Sequence, residues 1–409
     1  MRVPEGWEVT RLGKISKTVT SGSRDWAKYY SESGSKFIRM TNLRRDGIYL
    51  KLDDLKYVRI SGNSADGKRT ALQGGDILIS ITAELGKIGW IPDGFGEAFI
   101  NQHTALVRID KQKSDSKFIA YLLSSRRMNL IINQLNDAGA KAGLNLPTIK
   151  ALPIFLPPFP EQQKIAQILS TWDKAIDKLE ALIAAKQKRK KSLMQQLLTG
   201  KKRLPGFVGE WKEFRLGELF TERRERGHDN LNLLSITREK GVILREEVDR
   251  KDTSNEDKSK YLRICPGDIG YNTMRMWQGV SALSTLEGIV SPAYTICIPT
   301  KAVCETFIAY LFKFTPVIHL FKRYSQGLTS DTWNLKFHHF SEIKVRIPEL
   351  FEQQKIATIL SAADKEIETH QKQLEALKQQ KKGLMQQLLT GRKRVKLDEP
   401  EPLATVTEA

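Results

Sequence analysis

Two stretches of the chain, residues 161–200 and 352–391, carry apolar residues in steps of three and four. This spacing is typical of a helix that packs against another helix in a coiled coil. Prolines precede both stretches and Thr-Gly ends both, as is usual at helix boundaries. Each stretch predicts one long helix of about 38 residues, or roughly 57 Å at about 1.5 Å per residue. The seam positions are Ile165, Leu169, Trp172, Ile176, Leu179, Ile183, Lys186, Lys190, Leu193 and Leu197, then Ile356, Leu360, Ala363, Ile367, His370, Leu374, Leu377, Lys381, Leu384 and Leu388.

The two stretches are copies of each other. They align without a gap at an offset of 191 residues, and 23 of 40 positions are identical, including EQQKIA at both starts and LMQQLLTG at both ends. Weaker repeats outside the helices include Gly-Asp-Ile at 75–77 and 267–269 and FIAYL at 118–122 and 307–311. The chain is therefore a duplication of a globular unit followed by a long helix. The predicted segments are a globular domain at 1–158, a helix at 159–200, a second domain at 201–349, a second helix at 350–392, and a disordered acidic tail at 393–409.

The two helices are expected to pack on each other. If they are antiparallel and in matched register, residue x on one helix faces about residue 553 − x on the other. Trp172 would then lie over the stem of Lys381, and Lys190 would face the small side chain of Ala363. Leu179 would meet Leu374 by the same rule. The sequence alone leaves the register open.

Each globular unit is predicted to be a mixed α/β (α+β) domain, the two being related by a pseudo-twofold axis and separated by an antiparallel coiled coil. Buried strands are expected where β-branched residues dominate short apolar runs. These runs are 76–81, 105–109, 294–298 and 343–347, and helices are expected at 118–135 and 305–324.

The charge points to a polyanionic partner. The net charge is +19 and the pI is about 9.6, and nucleic acid is the usual partner of so basic a chain. No apolar run approaches the roughly 20 residues that a membrane helix needs. Cys265, Cys297 and Cys304 contain no Cys-x-x-Cys pair, which suits a reducing cytoplasm and argues against a disulfide framework or a thiolate metal site.

A search for catalytic chemistry finds one loose candidate. Pro92-Asp93 followed by Asp115-Ser116-Lys117 matches the carboxylate–carboxylate–lysine pattern of magnesium-dependent nucleases, although the second half has no counterpart. Such a nuclease is the alternative function. Leu156-Pro157-Pro158-Phe159 carries leucine where an amino-group methyltransferase needs a polar side chain, and no phosphate-binding GxxxxGK[ST] loop is present. No catalytic or metal-binding residue is assigned to the chain.

The motifs resemble those of one family. LPPFPEQQKIAQIL and SLMQQLLTGKKRLPGFVGEW are similar to the conserved regions of the specificity subunit of type I restriction–modification systems. VTSGSRDWAKYY, FIRMTNL, GDILISITAELGKIGWIP and INQHTALVRI resemble its first target-recognition domain. YNTMRMWQGVSALSTLEGIVSPAY and SQGLTSDTWNL resemble its second. The resemblance covers almost everything except the acidic tail.

The resemblance implies a DNA-recognition subunit without catalytic activity or a cofactor of its own. Each target-recognition domain would read one half of a bipartite site in double-stranded DNA, and the helix pair would set the unread spacer. The chain would bind two copies of a methyltransferase subunit, which uses S-adenosylmethionine to methylate adenine. Two further restriction subunits, which use ATP and Mg²⁺, would complete a cytoplasmic complex that cuts unmodified DNA.

Candidate DNA-binding residues are polar or aromatic side chains in the stretches between predicted elements. Arginine suits guanine, and asparagine or glutamine suits adenine, through paired hydrogen bonds. In the first domain the candidates are Ser21, Gly22, Ser23, Arg24, Trp26, Tyr29, Tyr30, Arg39, Asn42, Arg44 and Arg45, with Lys141 as a phosphate contact. In the second they are Asn272, Arg275, Trp277, Gln278, Arg323, Ser325, Gln326 and Ser330.

The repeated octapeptide LMQQLLTG suggests a duplicated docking surface. Its leucines lie on the seam, but Gln195, Gln196, Gln386 and Gln387 face elsewhere and are nevertheless identical in both copies. We expect these four glutamines to contact two copies of one partner. The basic runs near the helix ends allow two interpretations: favourable charge at helix C-termini, or contacts to phosphate or to an acidic partner. They comprise Lys186, Lys188, Arg189, Lys190, Lys191, Lys201, Lys202, Arg203, Arg392, Lys393 and Arg394.

Overall fold

The computed structural model describes residues 3–60, 65–135, 143–248 and 257–397. The chain divides into two compact units, one of residues 1–179 and 373–409 and one of residues 180–372. Each unit therefore contains one globular domain, the beginning of the long helix that follows it and the end of the other long helix. The boundaries predicted from sequence follow the helix ends, whereas the compact units divide in the middle of the helices.

The first unit is built on a four-stranded antiparallel sheet. Its strand order is β2-β9-β6-β7, beside a second sheet of order β3-β5-β4-β8 and a β1-β10 pair. The strands are β1 Glu8–Arg11, β2 Ser16–Ser21, β3 Tyr30–Ser31, β4 Ser35–Ile38, β5 Lys56–Val58, β6 Ile77–Ser80, β7 Ile88–Trp90, β8 Ala98–Ile100, β9 Thr104–Ile109 and β10 Pro153–Leu156. The helices are α1 Ala65–Thr70, α2 Ser116–Ser124, α3 Arg126–Gln134, α4 Leu146–Ala151 and the long α5 Phe159–Leu197.

The second unit repeats the first four-stranded sheet and the strand pair of this plan, whereas two separate strand pairs, β13-β14 and β15-β18, stand in place of the other sheet. Its four-stranded sheet has the order β12-β19-β16-β17, and β11 pairs with β20 as β1 pairs with β10. The strands are β11 Lys212–Arg215, β12 Phe220–Arg223, β13 Leu234–Thr237, β14 Gly241–Leu244, β15 Leu262–Ile264, β16 Ile269–Asn272, β17 Ser281–Leu283, β18 Gly288–Val290, β19 Tyr294–Pro299 and β20 Lys344–Ile347. The helices are α6 Leu216–Leu219, α7 Glu305–Phe312, α8 Thr315–Tyr324, α9 Phe337–Ser341 and the long α10 Leu350–Leu388. The predicted mixed fold with two long helices is confirmed.

Two predicted helices are each interrupted. The segment 118–135 forms α2 and α3, because Ser125 adopts an extended backbone and its side chain caps the second helix at Met128 N. The segment 305–324 forms α7 and α8, with Pro316 in the first turn of α8. A proline has no N–H to continue a preceding helix, whereas it is well suited to a first turn. The four predicted strands are present, as β6, β9, β19 and β20.

The ends of the long helices belong to the cores of the globular units. In the first unit Phe118 and Ile165 share an apolar cluster with Leu388. In the second unit the equivalent cluster contains Phe307 and Leu197. Burial of large apolar side chains contributes about 1.5–3 kcal/mol each. Each helix is therefore fixed to one domain at its beginning and to the other at its end.

Candidate DNA interface and helix junctions

A buried polar cluster joins the first globular domain to both long helices. The Tyr121 hydroxyl of α2 donates a hydrogen bond to Asp173 Oδ2 at 2.6 Å and lies 3.4 Å from Ser170 Oγ, both on α5. Lys381 Nζ of α10 lies 2.5 Å from Asp173 Oδ1 and 5.8 Å from the centre of the Tyr121 ring. Burial first, and the Asp173 carboxylate second, raise the pKa of Tyr121 well above its usual value. The hydroxyl therefore stays protonated and remains a donor.

The second unit repeats this cluster with equivalent residues. The Tyr310 hydroxyl of α7 donates a hydrogen bond to Asp364 Oδ2 at 2.7 Å and lies 3.4 Å from Ser361 Oγ. Lys190 of α5 forms an ion pair with Asp364 and lies 5.2 Å from the centre of the Tyr310 ring. Burial raises the pKa of Tyr310 as well. The clusters differ in exposure: the lysine and aspartate side chains are 7% and 11% exposed in the first unit but 23% and 44% exposed in the second.

These ion pairs define the register of the helices within each unit. In the first unit Lys381 meets Asp173, the neighbour of the predicted Trp172. In the second unit Lys190 meets Asp364, one residue beyond the predicted position. Both contacts lie one residue from the matched antiparallel register, which the sequence alone had left open. The lysines on the apolar seam are explained by acidic partners on the facing helix.

In each unit an arginine–glutamate pair also joins the start of one long helix to the segment that follows the end of the other. Arg394 donates to both oxygens of Glu161, at 2.7 Å each, and Arg203 donates to both oxygens of Glu352 at 2.8 and 2.7 Å. Both carboxylates are buried, and hydrogen bonds to them raise the pKa of both arginines. Paired charge-assisted bonds of this type are the strongest in proteins. They explain the glutamate that opens EQQKIA and the arginine three residues after each Thr-Gly.

The first glutamine of each EQQKIA copy is buried and ties the helix to its globular domain. Gln162 Oε1 accepts hydrogen bonds from Ser114 Oγ at 2.7 Å and from the backbone N–H of Asp115 at 2.9 Å. Gln353 Oε1 accepts one from the backbone N–H of Cys304 at 2.9 Å. A buried amide without partners would cost about 1–3 kcal/mol. The identity of this residue in both copies therefore has a structural explanation.

The octapeptide LMQQLLTG ends each long helix in the same way. Gly200 and Gly391 have positive φ angles of 68° and 67°, and an added Cβ would lie 3.2 Å from the Trp211 ring and 3.3 Å from the Trp7 ring, respectively. Each threonine donates to the main-chain carbonyl four residues earlier, at 2.7 and 2.6 Å. The leucines, threonine and glycine are thus accounted for by the junction. The four glutamine side chains are exposed in both copies.

The basic runs divide into paired and exposed residues. Besides Lys190, Arg203 and Arg394, Lys186 forms an ion pair with Glu366, 2.5 Å apart. These four cations have a structural role. The other members of the runs are exposed, namely Lys188, Arg189, Lys191, Lys201, Lys202, Arg392 and Lys393.

Four candidates of the first domain are buried. Trp26 is 4% exposed in an aromatic core, and Ser23 and Asn42 are 6% and 2% exposed. A Cβ on Gly22 would lie 2.2 Å from the Asn101 carbonyl oxygen, so this glycine permits close packing of two segments. The structure therefore places these four residues in the interior of the first domain rather than on its surface.

The other candidates of the first domain are at least partly accessible. Arg39 forms an ion pair with Asp54 at 2.6 Å, and Arg45 donates a hydrogen bond to Asn129 Oδ1 at 3.1 Å. Lys141 lies outside the described residues. Exposed or partly exposed are Ser21, Arg24, Tyr29, Tyr30, Arg39, Arg44 and Arg45. The structure does not gather them at one place, since Arg24 follows β2 whereas Arg44 pairs with Ile88 of β7.

The candidates of the second domain come from two segments that meet. The backbone N–H of Leu335 donates to the carbonyl of Thr273 at 2.8 Å, and the rings of Trp277 and Trp333 lie 5.3 Å apart. The end of β16 is thereby joined to the segment that follows α8. Seven of the eight candidates lie on these two segments and Arg323 lies in the last turn of α8. All eight are partly or fully exposed: Asn272, Arg275, Trp277, Gln278, Arg323, Ser325, Gln326 and Ser330.

Three polar residues at the equivalent strand ends of the first domain, after β6 and before β9, were not predicted from the sequence. Thr82, Gln102 and His103 are hydrogen-bonded to one another and only partly buried. Gln102 and His103 belong to INQHTALVRI, but their proximity to Thr82 depends on the pairing of β6 with β9. The spacing along the chain gave no sign of it.

Two of the three residues of the nuclease alternative, Asp115 and Lys117, have structural roles. Asp115 caps α2 by accepting a hydrogen bond from Phe118 N at 2.7 Å. The Lys117 ammonium lies over the Trp90 ring, 4.4 Å from its centre. Across the described ranges no group of three or more His, Cys, Asp or Glu side chains could hold a metal ion. Nothing in the site favours a nuclease.

The described part of the chain contains no helix with the length and apolar character needed to cross a membrane.

The acidic residue of each Gly-Asp-Ile repeat is buried beside an arginine. Asp76 accepts two hydrogen bonds from Arg108, at 2.8 and 2.7 Å, and Asp268 accepts two from Arg223, at 2.7 and 3.0 Å. The repeat is therefore a structural element of the sheet.

Comparison with known proteins identifies one family. The family described as "Type I restriction modification DNA specificity domain" matches residues 4–187 and again residues 209–379. The two matches correspond to the two copies of the internal repeat, and together they cover most of the chain.

Similar proteins span the full length of the chain. The type I restriction enzyme MjaVIII specificity subunit of Methanocaldococcus jannaschii is 25% identical, over 97% of this chain and 95% of its own length. The putative MjaX specificity subunit of the same organism is 27% identical, over 96% and 95%. The crystal structure of the type I restriction–modification S subunit from M. genitalium shares the fold, with a TM-score of 0.59, 16% identity and coverage of 95% and 98%.

Proposed function

Because the chain belongs to the type I restriction–modification DNA specificity family, we propose that each of its globular units reads one half of a bipartite DNA site. The net charge of +19 supplies the attraction to phosphate that such a role needs. The two units share a fold but differ in the polar side chains at the ends of the inner strands of the two four-stranded sheets, as expected of two domains that read different sequences. Phosphate contacts would position each unit, and base contacts would specify the sequence.

The duplicated junction carries this proposal. In each unit a tyrosine of the globular domain is bonded to an aspartate of one long helix, which pairs with a lysine of the other. Each domain is thus held by two helices rather than by a flexible linker, which would let the distance between reading domains vary. We infer that the helix pair sets the length of the unread spacer. Reading elements of DNA-binding proteins commonly contact major grooves about 34–36 Å apart.

The partners follow from the same proposal. We infer that the exposed glutamine pairs at 195–196 and 386–387 contribute to docking of two copies of a methyltransferase subunit. That subunit would use S-adenosylmethionine, and two restriction subunits would use ATP and Mg²⁺. The chain itself would contribute recognition without catalysis, and the complex would act in the cytoplasm, where its DNA is.

Mapping of methylated adenines tests the proposal. A host carrying this gene and its methyltransferase partner should show methylation confined to one motif made of two fixed half-sites and a spacer of constant length. Replacing residues 1–155 with the corresponding domain of a relative should change one half-site and leave the other and the spacer unaltered. Methylation without a split motif, or a change in both half-sites, would contradict the proposal.

A further inference from the structure

Thr82, Gln102 and His103 form a hydrogen-bonded cluster in the first unit. Thr82 Oγ1 lies 2.9 Å from His103 Nδ1, and Gln102 Nε2 lies 3.1 Å from His103 Nε2. All three side chains are partly accessible. The backbone N–H of His103 also donates to Asn101 Oδ1 at 3.2 Å, so the segment that carries the histidine and glutamine is held in place.

The cluster lies where β6 ends and β9 begins, the two inner strands of the four-stranded sheet. The backbone N–H of Ile81, just after β6, donates to the His103 carbonyl at 3.1 Å, and the N–H of Gln102 donates to the Ser23 carbonyl at 3.1 Å. Three segments therefore meet here, and one of them leads to the exposed Arg24. The next residue after Thr82 is Ala83, which has a φ of 54°. An alanine in the left-handed region costs roughly 1–2 kcal/mol, and such strain is concentrated at functional sites.

The second unit has the same backbone hydrogen bonds at the equivalent strand ends, after β16 and before β19, but different side chains. The N–H of Thr273 donates to the Ala293 carbonyl at 3.0 Å, just as Ile81 does to His103. The N–H of Leu335 donates to Thr273, as that of Leu144 does to Ile81, at 2.8 and 2.9 Å. Ala293 thus stands where the first unit has His103. The two copies keep the same backbone at these strand ends but differ in the side chains that can form hydrogen bonds, as two domains that read different half-sites require.

The cluster fixes the hydrogen-bonding pattern that Gln102 offers to a ligand. Its amide donates one N–H to His103 Nε2, so that ring nitrogen acts as an acceptor and Nδ1–H donates to Thr82 Oγ1. Within the ranges that the structure describes, the second N–H and the Oε1 of Gln102 make no other hydrogen bond. A glutamine with one free donor beside one free acceptor matches the N6 donor and N7 acceptor of adenine in the major groove.

We propose that Gln102, oriented by His103 and Thr82, determines specificity in the first unit by reading an adenine of its half-site. This inference rests on the proposed function and adds a named residue and a named base to it. Gln102 supplies the contact, whereas His103 and Thr82 are positioning residues. Arg24 follows Ser23, whose carbonyl accepts the backbone N–H of Gln102, and is placed to contact a neighbouring phosphate or guanine.

The test uses the full chain in complex with its methyltransferase partner, with methylated motifs mapped by sequencing. Gln102→Ala should lower the preference for one adenine of the first half-site by about 5- to 150-fold. His103→Ala should relax the same position by a smaller factor, because the glutamine remains but is no longer oriented. Gln102→Glu should shift the preference at that position towards cytosine, whose N4 amine a carboxylate accepts. The second half-site should not change in any variant.

Gln112→Ala is the matched control, because Gln112 is an exposed glutamine beyond the opposite end of β9 and should leave the motif unchanged. Thermal unfolding should show that all variants retain the fold. The gain of cytosine preference in Gln102→Glu is an outcome that misfolding cannot produce. Wild-type base preferences at every position in both Gln102 variants would overturn this inference alone. Absence of a split motif for the wild-type complex would instead overturn the proposed function.

Discussion

The two junction clusters predict that equivalent lysines differ greatly in their contribution to stability. Lys381→Met removes the charge of a 7% exposed ammonium and leaves the 11% exposed Asp173 carboxylate with the Tyr121 and Ser170 cluster alone. Breaking a buried pair on one side costs about 3–5 kcal/mol. Lys190→Met makes the same change at Asp364, which is 44% exposed. An exposed pair contributes about 0.2–1 kcal/mol. Methionine preserves the packing of the lysine stem in both variants.

Hydrogen exchange read by mass spectrometry can assign the loss to one unit. Peptides covering α2 and the beginning of α5 should exchange about 100-fold or more faster in Lys381→Met, since each 1.4 kcal/mol corresponds to a factor of ten. Peptides of α7 in Lys190→Met should change by about fivefold or less. The double variant Asp173→Leu, Lys381→Met removes both charges and should recover most of the stability. Equal effects of the two single variants would refute the argument from burial.

Three further predictions concern the helices and the tyrosine. Deleting seven residues at corresponding positions of both helices, 178–184 and 369–375, should shorten each by about 10 Å and the DNA spacer by about three base pairs at 3.4 Å each. Replacing Gln195 and Gln196 with alanine should reduce the methyltransferase copies per chain from two to one by native mass spectrometry. Tyr121→Phe should remove part of the decrease in the free energy of unfolding that the wild type shows at alkaline pH. Because burial raises the pKa of Tyr121, its contribution is present below about pH 10, where the unfolded tyrosine is also protonated, and is lost as the pH rises above that value.

Each of these predictions has a control. The heptad deletion should leave both half-sites unaltered, and an unchanged spacer would contradict the role of the helices as a ruler. Gln167→Ala removes an exposed glutamine of α5 that has no counterpart in α10 and should not affect docking. Urea unfolding of Tyr121→Phe and the wild type should show free energies that converge between about pH 8 and pH 11. A constant difference would mean that the hydroxyl is accessible to solvent.

The helices could be predicted because their signal is repeated many times. A 3.5-residue spacing sustained over ten seam positions outweighs any single exception. The acidic partners of the lysines that interrupt the seam appear only in the structure. The breaks at Ser125 and Pro316 are set by single residues inside otherwise helical patterns, and the periodicity around them does not indicate where the helix stops. The register was left open by the sequence, and the structure places the contacts one residue from the matched pairing.

The contacts of the site were harder to predict, because they join elements that are distant along the chain. Glu161 and Arg394 are separated by 233 residues, and neither has a local pattern that names the other. The buried position of Trp26 depends on the packing of two strands around it, which composition does not reveal. The proximity of Thr82 to His103 likewise arises only when β6 and β9 pair.

The division of the helices between the units also fixes an order of events during synthesis. The second unit is one continuous segment, 180–372, whereas the first needs residues from 373 onwards in addition to 1–179. While the chain leaves the ribosome, Asp173 and Glu161 of the first unit lack their cationic partners until Lys381 and Arg394 emerge. The domain made first is therefore the one completed last. A ribosome that stops before Lys381 leaves a nascent chain with a finished second half and an open first one.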